Sequence, residues 1–136
     1  MDNLRAAYDE VYVYTMGRAG FSLQHVVDAF AVQTAGADAK AISIVFGLVG
    51  LYLPVEKQFS GGKVQKIHMA LGRRKREWPR VSLPENRGSM TVADVLAASA
   101  GPERDRAIED WCQSVWTACS TNRGMLIELL KEYQVI

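Results

Sequence analysis

This chain of 136 residues is short of several things: it has two cysteines, four prolines, two histidines and no excess of charge of either sign. Each shortage excludes something. Cys112 and Cys119 fall in what reads as one helix, which would set their Cα atoms about 10 Å apart along its axis. That is too far for a mutual disulfide, and two unpaired thiols fit a reducing, cytoplasmic compartment. A net charge of +1 removes the global electrostatic case for nucleic acid or an anionic membrane. The longest apolar stretch, Ala41 to Val55, is shorter than the roughly 20 residues of a membrane span, and Ser43, Gly47, Gly50 and Pro54 interrupt it. The opening Met1-Asp2-Asn3-Leu4-Arg5 lacks the basic-then-apolar layout of a secretory signal. There is no H-E-x-x-H and no C-x-x-C, and Gly61-Gly62-Lys63 does not complete a phosphate loop. No dedicated metal or nucleotide motif is present.

What is there is apolar residue at helical spacing. Hydrophobic residues make up 49% of the chain and charged ones 23%, which suits one domain with a real core. Leu4, Tyr8, Val11 and Thr15 recur every three or four residues, although Val11-Tyr12-Val13-Tyr14 has strand propensity. Gly17 and Gly20 end this element. Ser22 is an N-cap for a second helix, about 23–34, whose apolar residues cover most of its circumference and make it central. The third helix, about 38–56, carries Ser43, Gly47, Gly50 and Pro54 as a small-residue stripe that lets a neighbour come close. Pro54 predicts a bend there. Ser60-Gly61-Gly62 reads as a turn, followed by a fourth helix to Arg76 that ends in Arg73-Arg74-Lys75-Arg76. A loop from Trp78 to Ser89 holds Pro79, Pro84 and Gly88. Thr91-Val92-Ala93-Asp94 has the layout of a capping box. Pro102 opens a long helix with Ile108, Cys112, Val115 and Cys119 as its stripe, and Thr121 or Asn122 caps the last one. The expected architecture is a single all-α domain, 1–136: a compact bundle of four or five main helices plus a short helix after a Pro/Gly loop.

Candidate chemistry comes from polar residues set in apolar helices. His25 and Asp28 are three apart and share one side of the second helix. Glu56 closes the third helix one turn beyond Tyr52, and His68 stands among Val64, Ile67 and Leu71. Facing helices of a bundle can bring such groups together. Two imidazoles and two carboxylates would suit a divalent metal, zinc, iron or manganese, or an acid–base relay without one. Tyr52, Trp111, Trp116 and Gln33 would line the small-molecule site. The plainer reading stands beside this. A helical histidine next to an aspartate is commonly a paired structural group, Glu56 at a helix end is commonly solvated, and the Arg73–Arg76 run is commonly a solvated helix end. The cysteines on a core stripe read as packing residues. Two functions are therefore expected: a small-molecule enzyme with an acid–base or metal site in the bundle core, or a non-catalytic ligand-binding or protein-interaction module, a helical homodimer being one form of it.

Three segments in order carry a resemblance. Val27-Asp28-Ala29-Phe30-Ala31-Val32-Gln33 resembles a V-D-A-Y-A-x-Q signature, Thr91 to Ala98 resembles T-V-x-D-V-x-x-A, and Trp111 with Ser114-Val115-Trp116 resembles W-x-x-S-V-W. All three belong to an uncharacterised bacterial family of unknown function. The resemblance runs over about residues 21–130 and implies that Asp28, Gln33, Asp94 and Trp116 matter, without implying an activity. Two features of that family are missing from this chain: an N-terminal C-P-G-C-G segment, and a His pair after the Trp motif, where Thr121-Asn122-Arg123 stands instead. A looser likeness to metal-binding four-helix bundles of the DinB type meets the same shortage. Those bundles use three histidines, so a metal here would need carboxylates to complete its shell.

Overall fold

A computed structural model describes residues 2–18, 22–74 and 77–135, and no strand occurs among them. The elements are α1 (Asp2–Met16), α2 (Ser22–Gln33), α3 (Ala41–Lys57), α4 (Gly61–Gly72), α5 (Val92–Ala97), α6 (Pro102–Cys119) and α7 (Arg123–Glu132), with a 3-10 turn at Ser120–Asn122 before α7. The chain is all-α, as its periodicity predicts. Gly20, Lys75 and Arg76 of the expected helix ends lie outside the described residues. So does the cap of α2, which begins at Ser22 itself.

Three helices form the centre. α2, α3 and α6 pack on one another, and α1, α4, α5 and α7 are laid around them. α3 is the most buried, with Val45 and every residue from Gly47 to Leu53 closed off from solvent. Its small-residue stripe acts as expected. A Cβ built on Gly47 would stand 2.6 Å from Val32 Cγ2, and one on Gly50 would stand 1.8 Å from Asp28 Oδ2. Only glycine lets α2 lie this close to α3. α3 continues one turn past Pro54 and closes with Gln58 in the left-handed region, where Gln58 N–H donates to Pro54 O and Phe59 N–H to Leu53 O.

Local signals explain most of the remaining elements. In α1 helix prevails over the strand propensity of residues 11–14 because Ala7, Val11 and Thr15, one turn apart, are the residues it buries. Thr91 and Asp94 form the full capping box. Pro102 starts α6 with Glu103 and Asp105 in its first turn. One expectation is corrected. Ser60-Gly61-Gly62 is not a free turn: Ser60 is the N-cap of α4, its hydroxyl accepts from Lys63 N–H, and both glycines are helical. The physical reason is that capping one orphan N–H starts the helix at once, and Gly61 is then buried.

The Pro/Gly loop is held by specific bonds. The Arg87 guanidinium donates to the carbonyls of Val32 (3.1 Å) and Ala35 (2.7 Å), which satisfies the C-terminal end of α2. Gly88, at φ +102°, lies against Ser114 of α6, where a Cβ would come within 2.7 Å of the Ser114 hydroxyl. Gln33 ties the loop to the core. Its amide nitrogen donates to Met90 O at 2.6 Å, and its amide oxygen accepts from Trp111 Nε1 at 2.9 Å.

Candidate functional site

The residues singled out by sequence separate into three places. Asp28 and His68 come together. The link is Gln24, one helical turn before Asp28 on α2. Its amide nitrogen donates to Asp28 Oδ2 at 3.0 Å and meets His68 Nδ1, from α4, at 3.4 Å. The other imidazole nitrogen, Nε2, lies 2.8 Å from the Phe46 carbonyl on α3. A carbonyl can only accept, so Nε2 carries the proton and the lone pair is on Nδ1, where the Gln24 N–H points. The pair of bonds fixes one tautomer. The imidazole is also stacked on the Phe46 ring, centroids 5.2 Å apart at 19°.

These groups form one wall of a pocket of about 380 Å³ between α2, α3 and α4. Val27, Ala31, Ile42 and Phe46 supply apolar surface, and Asp28, His68, Gln24 and Ser43 the polar groups. Asp28 is 4% exposed. Burial pushes its carboxyl up to about 8, and the Gln24 bond only partly opposes this. At neutral pH Asp28 is therefore mostly a neutral acid, a proton donor. Burial lowers the His68 pKa, partly offset by the Phe46 carbonyl, so His68 stays a neutral base. An acid and a base of this kind, joined by one amide, can donate and accept protons on the same ligand.

Glu56 does not join them. Its two carboxylate oxygens accept from Trp116 Nε1 and Arg123 Nε, both at 2.8 Å, which clamps the end of α3 to α6 and α7. Burial raises its pKa, but the bonds from Arg123 and Trp116 outweigh that and hold it below its ordinary value. His25 is also apart. Its Nδ1 is shut off from solvent without a hydrogen bond among the described residues, and burial lowers its pKa. Its backbone carbonyl accepts from the Cys112 thiol at 3.6 Å. Among the described residues no three His, Cys, Asp or Glu side chains stand close enough to hold a metal ion. The expected four-residue metal set of His25, Asp28, Glu56 and His68 is thus not assembled, because Glu56 finds nearer partners in Arg123 and Trp116.

Tyr52, Trp111 and Trp116 are core residues, each at most 3% exposed. Tyr52 packs on Trp116, with centroids 5.6 Å apart, and Gln33 with Trp111 makes the loop anchor described above. Both thiols are buried, which raises their pKa values and leaves them unreactive packing groups. Arg73 caps α4, and the Arg74 guanidinium lies 4.9 Å from the Tyr133 ring centroid. Sequence reasoning missed Gln24 and Gly50. Gln24 could have been found from its spacing, since Gln and Asp at i and i+4 meet on a helix. Gly50 was visible only as one of a stripe of small residues.

No curated protein and no solved structure matches the chain. No helix among the described residues is long and apolar enough to cross a membrane. A family model does match, over residues 5–120: it describes a family of unknown function, DUF5946, and the chain belongs to that family.

Proposed function

We propose that the chain is a small-molecule enzyme whose acid–base site is the pocket between α2, α3 and α4. Asp28 holds the proton to be donated, His68 Nδ1 is the basic nitrogen, and Gln24 positions both. One observation carries this reading. Asp28 sits in the core where its charged form is costly, and its amide partner is shared with an imidazole that opens on the same pocket. A residue kept only for packing would be better served there by an apolar or amide side chain. The expected small-molecule ligand and the cytoplasmic location belong to the same proposal, with the two thiols free.

Incubating the purified protein with a library of small metabolites and following their consumption by mass spectrometry tests the reading. Asp28→Asn and His68→Asn are each expected to lower turnover at least about 100-fold. Undiminished turnover in both folded variants would remove the site assignment. The apolar lining favours a second reading, a binding module that holds a ligand in this pocket without changing it. A compound retained but never consumed would select that reading. A divalent metal would require donors beyond Asp28 and His68, and elemental analysis of the purified protein reads this directly. A homodimer would have to use exposed apolar side chains such as Val13 and Met16 of α1 or Met69 of α4, and light scattering reads the oligomeric state.

A further inference from the structure

The pocket assigned above has a charge problem that names its ligand. Among the described residues Asp28 is the only acidic group on its wall, and no lysine or arginine lines it. The one bond opposing its burial comes from a neutral amide. An ionised Asp28 would be a buried carboxylate with no counter-ion among the described residues. The other titratable group lining the pocket, His68, offers a lone pair and no charge, since its proton is committed to the Phe46 carbonyl. Tyr8 and Cys112, which also feel the Asp28 charge, are neutral groups that burial keeps protonated. An anionic ligand would meet a carboxyl and no cation. A neutral one would leave Asp28 protonated and gain from it no more than a hydrogen bond. A small ammonium ion with an apolar body supplies the missing counter-ion. The charge would pair with Asp28 in a low-dielectric setting, and the apolar body would lie against Val27, Ile42 and Phe46. The volume, about 380 Å³, limits the body to roughly one ring or a short branched chain.

We propose that the pocket binds a small organic amine as its ammonium ion, with Asp28 as counter-ion and Phe46 as the aromatic wall. The proposal rests on this pocket being the functional site, and for an ammonium ligand it gives Asp28 the part of counter-ion in place of proton donor. Its proton balance is explicit. The ligand arrives as R–NH3⁺, the Asp28 O–H bond breaks, the proton leaves to solvent, and an Asp28 carboxylate–ammonium pair remains. No redox change occurs.

The test uses benzylamine, with benzyl alcohol as its neutral isostere, on the whole chain. Binding is read by perturbation of pocket amide signals and by calorimetry near pH 7 in buffers of different ionisation enthalpy. Benzylamine is expected to perturb the pocket and release close to one proton per molecule bound. Its affinity should exceed that of benzyl alcohol at least about tenfold and fall at least about tenfold in Asp28→Asn. Ala31→Leu, which fills the pocket and leaves Asp28 in place, should weaken both probes. Equal binding of the two probes with no effect of Asp28→Asn would overturn the amine assignment and leave the pocket standing. Failure of both probes to perturb any pocket signal at millimolar concentration would overturn the amine assignment and the pocket together.

Discussion

Two carboxylates on the same pair of packed helices have opposite fates. Glu56, at the end of α3, is partly exposed and fully engaged, with an indole and a guanidinium each donating to one oxygen. Asp28, in the middle of α2, is buried against the bare backbone of Gly50 and, among the described residues, has only a neutral amide as its side-chain partner. The first is held below its ordinary pKa and the second is pushed up to about 8. The difference teaches that partners, more than depth, decide whether an acidic side chain strengthens a fold or burdens it.

The largest expected effect is the pH dependence that Asp28 imposes. Its folded pKa lies above the unfolded one, so between about pH 4 and pH 8 the folded state binds the extra proton. The Asp28 contribution to stability is then full below pH 4 and is lost as pH rises to 8, by at most on the order of 5 kcal/mol. Urea unfolding of wild type across this range should show the decline, and Asp28→Asn should flatten it and be the more stable protein at pH 8–9. A wild-type profile that instead rises from pH 5 to 8 in step with Asp28→Asn would erase the contrast with Glu56.

The next effect probes how Asp28 is seated. Gly50→Ala should destabilise by about 3 kcal/mol, since the new methyl overlaps the carboxylate, and Gly50→Ala combined with Asp28→Ala should recover much of the loss. A double-mutant cycle read by denaturation checks this, and additive losses would count against the contact. Gln33→Leu should cost about 1–3 kcal/mol by leaving Trp111 Nε1 and Met90 O without their partner, while the signals of the Asp28 pocket stay unmoved. This separates the loop anchor on α2 from the site on the same helix. The smallest effect is Glu56→Gln. It should cost about 0.5–1 kcal/mol, of opposite sign to Asp28→Asn at pH 8, because a paired, partly exposed carboxylate contributes modestly. Thermal unfolding of the two variants side by side sharpens the comparison.

The fold was largely legible in the sequence, since apolar period, caps and breakers are local signals. The capping box at Thr91, the Pro102 start and the glycine stripe of α3 were all readable, and they stand as read. The site was legible only in part. Asp28 and His68 stood out as polar residues on apolar faces, but Glu56 and His25 stood out in the same way. Nothing local distinguishes a glutamate that will meet Arg123, 67 residues on, from one that will enter a pocket. Gln24 was overlooked because an amide on a helix carries no charge and no motif.

By itself, the sequence determined the all-helical architecture, the close approach of α2 to α3 and the absence of any dedicated metal or nucleotide motif. Each follows from side-chain spacing, volume or residue type along the chain. Tertiary structure alone decided which polar residues share a space. Three helices must pack before Gln24 can stand between Asp28 and His68, and before the Phe46 carbonyl can fix which imidazole nitrogen bears the proton. Among the described residues packing also sets no counter-ion beside Asp28 while giving Glu56 two donors, and a pKa is set by neighbours in space, whatever their distance along the chain.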